Sequence, residues 1–222
     1  MIDYAIKRSN RKTLSIIVES DCSVVVLAPI KMTDEEIYNT VSNREFWIYK
    51  QIAEFKLLNQ SKIQREFVNG EGFMYLGRSY KLKIVEEQDV PLKLLNGYFN
   101  LRKSAVGKAP EIFKEFYRKK GADRISSRIE RYVNKLGLTV NRIKVMELQS
   151  RWASCGKNNT LYFNWKCVMA PYSIIDYIVV HELVHLIYPN HSDDFWNQVD
   201  KVLPEYRNSL EWLRKNGASL DI

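Results

Sequence analysis

All three histidines of the 222-residue chain fall within eleven positions, as His181-Glu182-Leu-Val-His185 and then, after five intervening residues, His191. On an α-helix, residues four apart lie about 40° from each other around the axis and one turn apart along it. The imidazoles of His181 and His185 can therefore reach one metal ion. Glu182 lies about 100° round from His181, too far to be a third ligand but able to hold a water at the ion as a general base. Pro189 stops the helix soon after His185, so the chain can turn back and deliver His191 as the third ligand. Three protein ligands and an open fourth position mark a catalytic zinc. A closed structural site usually recruits cysteine and has no use for a glutamate there. Cys155 is the nearest competing ligand, but Cys155 and Cys167 lack Cys-x-x-Cys spacing. The chemistry this pattern suggests is hydrolysis with one Zn2+ per chain. Glu182 takes a proton from the attacking water and returns one to the leaving group.

The elements that must position these residues show in the periodicity. Residues 2–29 are rich in β-branched residues and read as short strands. Thr33 to Glu36 has the form of a capping box and opens a helix reaching about Asn59. Strand alternation returns over 72–101, with Gly77 at a turn. A helix begins near Pro110 and runs to about Leu136, with Gly121 expected to break or kink it. Strands follow at Ile143 to Leu148 and Thr160 to Trp165, separated by a turn over Gly156 to Asn159. Pro171 starts a helix through His185, Ser192 caps the next, and Pro204 starts the last, which ends before Gly217. The layout is α+β: a β-rich part with one long helix over 1–105, then a mostly helical part over 106–222.

Composition bounds the setting. Apolar residues at 45% support a core without disulfides, and the three scattered cysteines (Cys22, Cys155, Cys167) fit a reducing cytoplasm. No apolar run approaches the ~18 residues of a membrane span, so no membrane partner is expected, and the start lacks the apolar stretch of a secretory signal. The net charge of +8 is concentrated in residues 101–150, where 13 Lys+Arg face 5 acids. Such a basic stretch is either a solvated helix face or a contact for nucleic acid or nucleotide phosphates.

Around the histidines the chain resembles the YgjP-like zinc-dependent metallopeptidases, relatives of the SprT-like and WLM (minigluzincin-type) peptidases. The resemblance is carried by Arg151-Trp-Ala-Ser-Cys-Gly156, Leu161-Tyr-Phe-Asn164, Ile175 to Leu186 around the histidine motif, His191-Ser-Asp-Asp-Phe-Trp196 and Pro204-Glu-Tyr206. Arg11 to Ile16 and Tyr75 to Tyr80 extend it over most of the chain. It implies a zincin-like fold, with His181, His185 and His191 as zinc ligands and Glu182 as acid/base. It also implies that Thr160, Leu161, Tyr162, Phe163 and Asn164 form the sheet edge beside the cleft. A peptide or protein substrate would add to that edge as a strand. Metzincins share the histidine spacing but carry Gly where this chain has Tyr188.

Secondary roles are assigned more loosely. Tyr206 and Tyr188 are the candidate transition-state stabilisers, since a phenol can donate to a developing oxyanion. Asp176, Asp194 and Asp200 are candidates to orient a ligand histidine, and Arg151 and Trp152 to line the groove. Phe195, Trp196 and Ile174, Ile175, Ile178 and Val179 read as core. The function suggested first is a zinc metallopeptidase. The alternatives are a metal-dependent nucleoside triphosphate pyrophosphohydrolase and a nucleic-acid-associated protein with secondary or lost protease activity.

Overall fold

Val24, Val26 and Ala28 alternate along one strand and are almost inaccessible to water. Around them the first of two units, Met1–Lys62, assembles. The computed structural model describes residues 2–19, 21–59, 65–148 and 151–222. Strand β3 (Val24–Pro29) pairs parallel with β1 (Ala5–Ser9) and antiparallel with β2 (Ser15–Val18). Helix α1 (Asp34–Asn43) opens with the expected capping box. Thr33 Oγ1 accepts from the Glu36 amide, and the Glu36 carboxylate accepts from the Thr33 amide. The single helix expected over 33–59 is two, because Arg44 leaves helical geometry before α2 (Glu45–Asn59). Ile37, Val41 and Ile48 close this unit's core onto β3.

The second unit is Ile63–Ile222. Its first sheet has the order β4-β5-β7-β6, built from β4 (Gly72–Tyr75), β5 (Arg78–Val85), β6 (Leu92–Leu95) and β7 (Tyr98–Arg102). Both hairpins turn through two residues with positive φ, Leu76-Gly77 and Asn96-Gly97, the pattern whose twist matches paired strands. Helix α3 (Ala109–Leu136) buries Phe113, Tyr117, Gly121, Ile125, Ile129 and Tyr132 on one stripe. It runs through Gly121 without a break. A Cβ there would come within 3.2 Å of Val145 Cγ1, so the glycine permits close approach of helix and strand. Phe73 of β4 and Phe113 of α3 stack at 4.3 Å, and Phe99 of β7 meets Phe113 at 5.2 Å. Position 105/106, where the sequence suggests a division, therefore falls inside one shared core.

The second sheet corrects one expectation. Its order is β8-β10-β9, with β8 (Arg142–Met146) parallel and β9 (Ala153–Gly156) antiparallel to β10 (Thr160–Asn164). The strand formed by Thr160, Leu161, Tyr162, Phe163 and Asn164 is thus central and not the sheet edge. Both its sides are already paired, and it has no backbone groups to offer a substrate. The short β9, which the periodicity did not reveal, is an edge.

Helices α4 (Tyr172–Val184), α5 (Asp193–Val202) and α6 (Tyr206–Asn216) complete the unit. Helix α4 packs on α3, β9, α5 and α6 and buries ten of its thirteen residues, Ile174, Ile175, Ile178 and Val179 among them. Among the described residues, no helix is long and apolar enough to cross a membrane.

The β4–β5 hairpin tip anchors the approach to α4. Leu76 N–H donates to the Val168 carbonyl at 2.8 Å and Gly77 N–H to that of Met169 at 3.0 Å. Gly77 has φ +78°, and a Cβ there would lie 2.7 Å from Pro171 Cγ and 2.9 Å from its Cα. Gly77→Ala is therefore expected to destabilise the protein by about 2–4 kcal/mol, from left-handed strain plus overpacking. Thermal denaturation should show a Tm roughly 4–16 °C lower. An unchanged Tm would mean that the tip does not press on Pro171.

Candidate metal centre

Burial fixes the helix that carries the first two histidines. α4 ends as the chain tightens: His185 N–H donates to the His181 carbonyl at 3.2 Å, and Leu186, Ile187 and Tyr188 close short turns behind it. Pro189 follows, and Ser192 caps α5, its hydroxyl accepting from the Phe195 amide at 3.4 Å. His191 stands immediately before that cap. The α4–α5 connection thus brings it back over the helix, as the sequence suggests.

The three imidazoles form a near-equilateral triangle, with ring centroids 4.8, 5.0 and 4.7 Å apart. One ligand nitrogen from each lies within 4.8 Å of the others, and Nε2 of His181 is 3.1 Å from Nε2 of His191. A tetrahedral ion with metal–nitrogen bonds of about 2.1 Å needs its ligands about 3.4 Å apart. These residues fit such an ion. His185 Nδ1–H donates to the Tyr188 carbonyl at 3.1 Å, which leaves Nε2 with the lone pair. Burial, reinforced by His185 and His191, lowers the pKa of His181 to about 3. That of His191 is lowered by burial and by His185. Both rings are held neutral, as ligation requires. Phe195 is fully buried beneath the triangle, its ring 4.9, 4.5 and 4.8 Å from His181, His185 and His191. Trp196 stacks on His191 at 5.6 Å. Phe195 is core, as expected, whereas Trp196 is half-buried and packs against that core; both also floor the site.

Glu182 is 6% exposed, and its Oε2 is buried without a hydrogen-bond partner among the described residues. Burial raises its pKa to about 7, against the opposing pull of the Arg151 guanidinium and the Cys155 backbone amide. A carboxylate poised near neutrality, with one oxygen unengaged, is suited to accepting and returning a proton. Cys155, the competing ligand, is not part of the histidine cluster. Its thiol pKa is raised, by burial first and by Glu182 second.

Other candidates separate. Tyr188 contributes its backbone carbonyl to His185. The Tyr206 ring stacks between Trp196 (5.4 Å) and Tyr177 (6.4 Å), which itself meets His181 at 5.8 Å. Asp176 does not orient a histidine. Both its oxygens bind the guanidinium of Arg128 on α3, and Tyr132 also hydrogen-bonds to it. Asp194 and Asp200 are exposed on α5, Asp194 in its first turn. Trp152 packs beside Gly217, where a Cβ would meet its indole at 2.9 Å. Leu161, Phe163 and Asn164 are buried.

In the basic stretch 101–150, part of the charge is answered within the fold. Lys114 pairs with Glu147 at 3.2 Å, Lys119 with Glu115 at 3.5 Å and Arg128 with Asp176, while Arg124 bonds to Tyr75. This favours a solvated, internally paired helix face over a nucleic-acid contact.

A family model described as "YgjP-like, metallopeptidase domain" matches residues 12–216. A comparison with curated proteins found no match. Among solved structures, the chain is similar to the crystal structure of the metallopeptidase zymogen of Pyrococcus abyssi abylysin. Identity is 22%, over 44% of this chain and 99% of that one, with a TM-score of 0.40.

Proposed function

The chain belongs to the YgjP-like metallopeptidase family, and from that premise we propose that it is a zinc-dependent peptidase with Glu182 as its general base and acid. The observation that carries this reading is the convergence of three imidazoles beside a buried carboxylate with an unengaged oxygen. His181, His185 and His191 would hold the ion, and an all-imidazole set of three suits zinc with one position open. When bound, the metal supplies Lewis acidity to the scissile carbonyl and to water. Glu182 Oε2 accepts the proton of the attacking water, and the same carboxyl group then donates it to the departing amine. The buried environment keeps the carboxyl available in both states near pH 7.

Substrate alignment falls to β9. Trp152 O accepts from Asn164 N–H, so Trp152 faces β10, and by alternation Ser154 and Gly156 do as well. Ala153 and Cys155 then turn their backbone groups outward, with the Cys155 amide toward Glu182. An extended peptide adding at this edge would lie across Glu182, with recognition resting on backbone more than on side chains. For the developing oxyanion, the position of Tyr206 beside Tyr177 and Trp196 supports it over Tyr188.

The test is cleavage of a mixed library of unfolded peptides. Cleavage should be lost on chelation and restored by one equivalent of Zn2+. Failure of the zinc-loaded protein to cut any peptide would overturn the reading.

A further inference from the structure

Asn164 ends the central strand β10 with a side chain only 4% exposed. Its Nδ2 donates to the carbonyls of Leu148 at 2.7 Å and Arg151 at 3.3 Å. Its Oδ1 accepts from the Lys166 amide at 3.1 Å, and its backbone N–H donates to the Trp152 carbonyl at 2.7 Å. Three of these four bonds hold the backbone on either side of residues 149–150 and directly before β9. The Trp152 carbonyl is held a second time by Cys167 Sγ, at 3.2 Å. A buried amide costs stability unless its polar atoms are paired, and an apolar side chain would fill this space without that demand. What only the amide supplies is a clamp on Leu148 and Arg151.

The clamped segment leads directly to functional groups. Arg151 stands two residues before β9, and β9 packs against α4, the helix that carries Glu182. β9 itself is four residues long and paired on one side only. A short edge strand with a single partner opens easily unless it is tied at an end. We propose that Asn164 is a positioning residue that fixes β9, and thereby sets how an extended substrate is aligned against Glu182. The substrate half of this inference rests on the peptidase reading above, and the clamp does not.

Two variants test it. Asn164→Asp keeps the shape but turns an acceptor toward two carbonyl oxygens. Asn164→Ser removes the same donors without adding charge, and serves where the aspartate fails to fold. Hydrogen exchange on the zinc-loaded protein should show residues 152–156 exchanging at least about 10-fold faster, the effect of two lost buried hydrogen bonds. Amides of α4 should change little. For peptides of increasing length, kcat/KM of the variant should fall about 10-fold or more on long substrates, mainly through KM. Substrates too short to pair with β9 should be nearly unaffected. Unchanged exchange over 152–156 would overturn the clamp, and an equal fall at every length would overturn the alignment role. If the wild type cleaves nothing, the peptidase reading and the alignment role fall together, while the exchange result still decides the clamp.

Discussion

Glu182→Gln is expected to lower kcat/KM on peptides by about 10²–10⁴-fold, the usual worth of a positioned general base and acid. Bound metal should not change. Glutamine has the same shape, lies in the same pocket and leaves all three imidazoles in place, so the loss isolates proton transfer from metal binding. The variant should also be as stable as the wild type or more so. Burial is what raises the Glu182 carboxyl to about 7, meaning that the ionised form is disfavoured there, and a neutral amide avoids that cost. Reduced activity with equal or raised Tm is the signature of a group kept for chemistry at the expense of stability. The measurement is steady-state cleavage alongside zinc content and thermal denaturation. Equal cleavage by both proteins would show that the proton passes through another group.

Removing a ligand should act through the metal. Structural zinc sites bind with about 10–16 kcal/mol over four ligands, so one imidazole is worth roughly 3 kcal/mol, or about 10²-fold in affinity. His185→Ala is therefore expected to lose its ion on dialysis against dilute chelator and to show no peptide cleavage. A second readout does not need activity. Ion present at 1,000 times its Kd stabilises the folded state by about 4 kcal/mol, which in a unit of this size raises Tm by roughly 8–16 °C. Wild type should show that zinc-dependent rise, and His185→Ala, His181→Ala and His191→Ala should each lose most of it. His191 is exposed on the connection between α4 and α5, so its loss should least disturb the metal-free fold. A retained zinc-dependent rise in any one variant would remove that histidine from the ligand set. Tyr188→Phe, by contrast, keeps the carbonyl that orients His185 and should bind zinc like the wild type.

The sequence by itself picked out the residues of the candidate site. His181, Glu182, His185 and His191 are legible because ligand spacing on one helix, and the turn that Pro189 forces, are local properties of the chain. The helices α3 to α6 and the turn at Gly77 are legible for the same reason: periodicity, caps and turn residues act over a few positions. Tertiary structure decided who stands next to whom. Leu161 and Phe163 show that β10 has a buried face, yet alternation looks the same in a central strand and in an edge. Only the parallel pairing of β8 with β10, and the return of β9 on the other side, made β10 central. Gly121 reads as a helix breaker until Val145 occupies the space it leaves, and Asp176 reads as a histidine's partner until Arg128 arrives from α3, 48 residues away in sequence. The Asn164 clamp, the Tyr188 carbonyl on His185 and the Phe195 floor were invisible for a related reason. Each depends on a backbone group or a ring face whose direction is set by packing, and packing between segments distant in sequence leaves no period along the chain.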